Sequence, residues 1–334
     1  MYHNPKLVST ELSLLWTTYI QDSLAQYILK HFGLTTEDSE LKPIITFALE
    51  CSRQHLNEIV DIFTKENLPI PKAFSYEDLN SDAQKLFPDM HMYRYLNHMA
   101  RGGLTNYAFG LSTSVRSDIR QLASKWLTHA DKLYNLAIDA MLKKGILVRS
   151  PAMAYPTESE FVQKAHFFTD GFVDEDRPLL SVEIAHLGTN IEANLVVATT
   201  LLGFSQIASE PKLKNILYRG YQISKKHAEV FSSILRKEGV HAPSGWDSEL
   251  TDSTATTFSD YLIVNNVASM MSIGISNYGT SVGASLRRDL GINYARLIAE
   301  LGLYAEDLEE LMIKHQWMEK PPQILNRKEL TKDS

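Results

Sequence analysis

The 334-residue sequence holds a single cysteine, Cys51. One thiol excludes a disulfide within the chain and a thiolate metal cluster, and it fits a reducing compartment. Basic runs are also missing. Lys and Arg number 33 against 40 Asp and Glu, for a net charge of −7, and the longest basic clusters, Lys143-Lys144 and Lys225-Lys226, are pairs. A nucleic-acid binder shows a basic face or stripe, so no nucleic acid is expected as a partner. No apolar run approaches the roughly 18 residues that signal a bilayer span. The best, Leu195 to Phe204, is short and broken by threonines. The opening residues, Met1-Tyr2-His3-Asn4-Pro5-Lys6, lack the charged and apolar regions of a signal peptide. These absences together predict a cytoplasmic protein. Strand-like alternation is missing too, as is any Gly-x-Ser-x-Gly elbow. Gly102-Gly103 and Gly279 fall inside helical patterns, not between a strand and a helix where a phosphate loop needs them. With no complete catalytic set, the reading leans away from an enzyme.

What the sequence does contain is itself, twice. A shift of 172 places Glu11 on Glu183, Leu15 on Leu187, Phe32 on Phe204, Ser52 on Ser224, His55 on His227 and Pro71 on Pro243. After one single-residue deletion the shift becomes 171. Phe87 then meets Phe258, Asn106-Tyr107 meets Asn277-Tyr278, Arg116 meets Arg287, Asp118 meets Asp289 and Pro151 meets Pro322. A single gap over so long a stretch marks a duplication.

Apolar residues at spacings of three, four and five predict helices. In the first repeat they cover about 9–32, 38–66, 92–112 and 118–144. In the second they cover about 181–204, 209–237, 260–284 and 289–315. Gly33 and Gly145 fit helix C-caps, and Pro69 with Pro71 ends the second helix. Short links join helices one to two and three to four, whereas a 20-residue connector joins two to three. Two hairpins linked by one long crossover is the arrangement of ferritin-like bundles. The fold class is therefore all-α, a tandem duplication of two ferritin-like four-helix bundles. Residues 1–155 form the first bundle, 156–180 an apolar linker (Phe161, Phe167, Phe168, Phe172) packed between the repeats, 181–325 the second bundle, and 326–334 a polar tail.

The third helix of each repeat is rich in glycine, at Gly102, Gly103 and Gly110 and at Gly274, Gly279 and Gly283. Each costs about 1 kcal/mol inside a helix. Close helix approach is one explanation, room for a ligand the other. The repeated Asn-Tyr pair is expected to hydrogen-bond in the core. Arg116/Asp118 and Arg287/Asp289 open the fourth helices, with Asp favouring the helix start and Arg paired to it or to Glu306-Asp307.

The runs Phe258-Ser-Asp260, Ser285-Leu-Arg-Arg-Asp-Leu290, Tyr304-Ala-Glu-Asp307 and Trp317-Met-Glu-Lys-Pro-Pro322, with Arg177-Pro-Leu179 and Trp246-Asp-Ser248, resemble an uncharacterised tandem-repeat family of Bacillus-type spore-forming bacteria. That family is placed near ferritin-like bundles and a spore-coat protein. The resemblance covers essentially the whole chain. It implies the fold, a bacterial host and a spore connection, but no activity.

A carboxylate-bridged dimetal site in such a bundle needs a Glu from each of two helices and Glu-x-x-His from each of the others. The nearest set is Glu183-x-x-His186, His227 and Glu300, matched in the first repeat by Glu11, His55 and His129, with Leu14 in place of His186. Where the resembling family often carries a third-helix histidine, this chain has Asn265 and Asn266. The set would hold iron, manganese or zinc. The plainer alternative is a buried Glu–His hydrogen bond, Glu11 to His55 and Glu183 to His227, that fixes helix register. Cys51 reads as a small core residue. Three functions compete. The first is a structural protein that associates with itself or a protein partner. The second is a metal protein using the second-repeat set. The third is a binder of apolar small molecules between bundle helices.

Overall fold

The computed structural model describes residues 5–163, 165–168 and 177–330. In these residues eight long helices, α1 (Ser9–Thr35), α2 (Leu41–Lys65), α3 (Asp89–Thr113), α4 (Ser117–Lys143), α5 (Ser181–Ile207), α6 (Pro211–Lys237), α7 (Asp260–Ala284) and α8 (Arg288–Lys314), are followed by the short α9 (Arg327–Leu330). Among the described residues there is no strand beyond one isolated bridge between Leu79 and Phe258, and no helix long and apolar enough to cross a membrane. Each repeat sets hairpin on hairpin. In the first, α1 packs beside α2 and α3, and α4 beside α3 and α2; α5 to α8 repeat this arrangement.

The sequence boundaries hold to within a few residues, and the exceptions have physical reasons. Gly33 does not cap α1. The helix runs on to Thr35, and the Thr36 N–H closes it on the Phe32 carbonyl (2.8 Å). Gly145 does end α4. Its φ of +68° is left-handed backbone that glycine adopts without strain. The expected linker phenylalanines do not fill the seam where they are described. Phe161 is 91% exposed, Phe167 lies under the Arg177 guanidinium (4.3 Å), and Phe172 falls outside the described residues.

Instead the repeats meet directly through one shared apolar core. Four phenylalanines related by the duplication gather there. Phe87 packs against Phe32 and Phe204, and Phe204 against Phe258, with centroids 5.8–6.1 Å apart. The two long crossovers pair across the seam, Asn80 N–H donating to the Thr257 carbonyl (2.8 Å) and Ser259 N–H to the Asp78 carbonyl (3.0 Å). Edge-to-face aromatic packing and satisfied backbone groups make this a fixed junction.

The expected Glu–His register bond does not form. In a hairpin that turns at residues 36–40, His55 lies fourteen residues into α2, so it faces α1 about fourteen residues before its end, at Asp22 and not at Glu11. Glu11 and Glu183, both fully buried, do different work. Glu11 accepts the Val8 N–H (2.9 Å) at the start of its own helix and the Val115 and Arg116 N–H groups (2.9 and 2.7 Å) in the turn between α3 and α4. Glu183 does the same with Leu180, Leu286 and Arg287 (2.9, 3.1 and 2.9 Å). Each carboxylate satisfies orphan donors of two helix ends at once.

The arginines of those turns, Arg116 and Arg287, are also buried. Arg116 grips Asp118 through two nitrogens (3.1 and 2.7 Å) and Glu66 through a third (2.6 Å). Arg287 likewise takes Asp289 and Glu238; Asp307 pairs with Arg219 instead. Replacing Glu11 by alanine strands three backbone donors. Charge-assisted bonds are worth about 1.5–3 kcal/mol each, so Glu11→Ala is expected to cost on the order of 3 kcal/mol or more in urea unfolding. A loss under about 0.5 kcal/mol would show that the carboxylate is dispensable.

Candidate functional site

The first repeat is hollow. A cavity of about 970 Å³ runs from its interior to the face of α7, bordered by α1 to α4 and by parts of α5, α7 and α8. Exposed Thr105, Phe109, Met318 and Pro321 belong to its lining and mark where it reaches solvent. Its walls are mostly apolar: Trp16, Ile20, Leu24, Met99, Leu133 and Tyr134 from the first repeat, Ala268, Met270 and Ile273 from α7. Below it Leu14, Leu15, Ile59, Phe63, Ile119 and Trp126 form a second apolar cluster, separate from the main core.

The same level of the second repeat is filled. Only about 30 Å³ remains there. Positions related by the duplication explain the difference. Ala25, Cys51, Ala130 and Leu133 line the large cavity, and their counterparts Val197, Ile223, Leu301 and Tyr304 close down on the small one. Gly220 makes room for Tyr304, whose hydroxyl would lie 2.4 Å from any Cβ added there.

The third-helix glycines divide in the same way. Gly110 is set by packing, since an added Cβ would fall 2.6 Å from Leu14. Gly102 and Gly103 line the cavity, where Gly102 lets α3 approach Ile273 of α7 (3.0 Å to an added Cβ). Gly274, Gly279 and Gly283 face open space. Of the repeated Asn-Tyr pairs, Tyr278 hydrogen-bonds in the core as expected, whereas Asn106 Nδ2 is buried without a partner among the described residues.

One wall of the cavity carries a chain of polar groups. Ser52 Oγ–H donates to Asp22 Oδ1 (2.8 Å), His55 Nδ1 meets Asp22 Oδ2 (2.8 Å), and His55 Nε2 meets His129 Nδ1 (2.9 Å). The two imidazoles are parallel within 5° with centroids 5.2 Å apart. That is the spacing of rings joined edge to edge by an in-plane bond. Tyr107 and Trp126 rings hold His55 from the sides (5.8 and 5.1 Å). Burial, then His55 and the Lys125 ammonium, push the His129 pKa below the ordinary histidine value. Burial chiefly, with the Asp22 charge, pushes the Cys51 thiol up to about 11, so it is not an activated nucleophile.

Asp22 and the Ser52–Asp22–His55–His129 order were not legible as a site, because Asp22 is matched in the duplication by Asn194 and so carries no repeated signal.

The metal set of the second repeat does not converge. Glu183 is taken up by the Arg177 guanidinium (2.8 and 2.9 Å) and by helix ends. Burial would raise its pKa, but Arg177 and the Leu180 and Arg287 N–H groups outweigh that and hold it below the usual carboxylate range. It lies eleven residues, about 16 Å of helix, before Asn194, which marks the level of His227. His186 meets Ser281 Oγ (3.0 Å). His227 and Glu300 do meet (3.2 Å), but Glu300 also binds Lys226 and His227 Nδ1 faces the Tyr278 hydroxyl (3.1 Å). Asn265 and Asn266 are spent on Tyr261, Trp317 and Tyr95. Of the first-repeat counterparts, His55 and His129 meet and Glu11 stands apart. Among the described residues no group of three or more His, Cys, Asp or Glu is placed to hold an ion.

Buried histidines flank the cavity and seam. His91 Nε2–H donates to Thr200 Oγ (3.1 Å), and its Nδ1 accepts the Trp246 indole N–H (3.4 Å), with Arg94 stacked on that indole (3.8 Å). Burial lowers the pKa of His91 to about 3, of His98 to about 4 and of His31 to about 4. Among the described residues, His98 and His31 keep ring nitrogens without partners.

Two stretches, residues 1–158 and 167–330, each match the model of a family described as "Protein of unknown function (DUF3231)". No curated protein matches the chain. A solved structure of a "putative spore coat protein" from Bacillus halodurans aligns over 45% of this chain and 98% of its own, at 18% identity and a TM-score of 0.41.

The buried histidines make the fold acid-sensitive. Their folded pKa values lie below the unfolded value of about 6.5, so the unfolded chain takes up protons that the folded one refuses. Stability is full above pH ~6.5 and falls toward pH ~4, by up to about 1.4 kcal/mol per pH unit for each histidine. The urea midpoint is expected to drop from pH 7.5 to pH 5, and less steeply in His31→Phe; a midpoint flat across that range would contradict the assignment.

Proposed function

The chain belongs to the DUF3231 family of proteins of unknown function, so we propose its role from the site itself: it binds a mostly apolar small molecule in the cavity between the repeats. The observation that carries this is the unequal filling of duplicated positions. One repeat closes its interior with Ile223, Leu301 and Tyr304, and the other keeps Cys51, Ala130 and Leu133 open to a cavity of about 970 Å³ that reaches across to α7. Empty volume costs stability, because the lining loses packing contacts. A repeat that could have been filled, and was filled in its copy, remains open for an occupant. The volume lies at the upper end of the roughly 300–1,000 Å³ of ligand pockets, and such pockets are apolar with a few placed polar groups. Reading each repeat as a ferritin-like four-helix bundle agrees, since ligand sites in such bundles lie between facing helices.

The second repeat supplies the test. Cys51→Ile with Ala130→Leu copies its filling into the first. The full chain is expected to bind a neutral polarity-sensitive dye, Nile red, saturably at one site. The double variant should weaken that binding roughly tenfold or more while unfolding at the same or higher urea concentration. Unchanged dye binding in the variant would place the dye elsewhere and sink the reading.

A further inference from the structure

The cavity wall carries more chemistry than an apolar ligand needs, and its hydrogen bonds have a direction. Asp22 as carboxylate only accepts. Its Oδ1 takes the Ser52 hydroxyl and its Oδ2 takes His55 Nδ1, so the proton of neutral His55 sits on Nδ1. His55 Nε2 is then a lone pair, and the 2.9 Å bond to His129 has to be donated by His129 Nδ1–H. The proton of neutral His129 is thereby also fixed on Nδ1, which leaves its Nε2 an acceptor. No hydrogen bond to Nε2 from the described residues is present, and His129 borders the cavity.

The second repeat runs the opposite way. There Asn194 stands for Asp22 and Glu300 for His129. The carboxylate lies at the far end, so neutral His227 donates Nε2–H to Glu300, and its Nδ1 lies 3.1 Å from the Tyr278 hydroxyl, which also meets Asn194. Both ring nitrogens of His227 have protein partners, and the void beside Tyr278 is small. The duplication thus kept the histidine in both copies, and among the described residues the chain ends on a nitrogen without a protein partner in the hollow one.

We propose that His129 Nε2 is the head-group acceptor of the cavity, and that the occupant is an apolar molecule bearing a neutral hydroxyl. The hydroxyl donates to His129 Nε2 and its chain lies along the apolar walls toward Met270 and Ile273. A carboxylate there would meet a lone pair backed by the Asp22 charge. An ether or ester of the same shape would present only acceptors. Asp22 and His55 act as positioning residues, since they set which end of His129 carries the proton. This assignment rests on the cavity being the binding site.

Three probes of equal chain length separate the possibilities: 1-dodecanol, its methyl ether and dodecanoate, each displacing Nile red from the full-length protein at pH 8. The alcohol is expected to bind about fivefold or more tightly than the ether, with dodecanoate weaker than the alcohol. In Asp22→Asn the amide can present an N–H to His55, the chain loses its fixed direction, and the alcohol-to-ether ratio should fall toward one. Should that variant not fold, His129→Phe removes the acceptor and predicts the same loss. Equal affinities for alcohol and ether in the unaltered protein, or a ratio that neither variant moves, would overturn the head-group assignment while leaving the cavity as a binding site. Failure of all three probes to displace the dye would overturn both.

Discussion

A buried carboxylate at the first turn of each repeat sets the register on which the rest of the structure depends. Glu11 and Glu183 each join the start of a first helix to the turn between the third and fourth. Because helices are rigid rods rising about 1.5 Å per residue, fixing one end fixes every level above it. That register puts Asp22 opposite His55 and His129 alongside, and in the other copy Asn194, His227 and Glu300 at the same height. Arg116 and Arg287 close the same ends by gripping acids from the second and fourth helices. A buried ion pair with one member removed is costly, so the ends are the least negotiable parts of the fold.

On that shared frame the two copies have diverged in what they enclose. Ala130 against Leu301, Leu133 against Tyr304 and Cys51 against Ile223 are changes of volume, not of pattern. They decide whether a bundle interior is solid or hollow. The hollow copy abuts α7 of the solid one, so the cavity takes walls from both. The seam that holds them together rests on duplicated phenylalanines and on crossovers that pair with each other, which gives one body with one open interior.

Much of the architecture was legible. The duplication showed directly as identities such as Glu11 with Glu183 and Phe32 with Phe204, and apolar spacing gave eight helices with ends close to those observed. The errors came from geometry that a linear sequence hides. Pairing Glu11 with His55 treated matched positions as neighbours, although the hairpin turn places them half a helix apart. Gly33 reads as a stop, yet its helix continues two residues to Thr35 and closes through the Thr36 N–H. The polar chain is hidden from a reading by repetition, because Asp22, which links Ser52 to His55, faces Asn194 in the other copy, and His129 faces Glu300. The glycines of the third helices left room for a ligand open as a reading, but not its place: Ala130 and Leu133 look like ordinary core residues until their larger counterparts Leu301 and Tyr304 are seen packed solid.

One repeat is hollow and its copy is solid. The most direct measurement is a crystal structure of the full chain under xenon pressure, because xenon enters apolar cavities that can admit it. Xenon, or a bound molecule carried through purification, is expected among Leu24, Leu133 and Ile273 in the first repeat, and none beside Tyr278 and Tyr304 in the second. Xenon at both levels, or an interior of the first repeat packed closed, would contradict it.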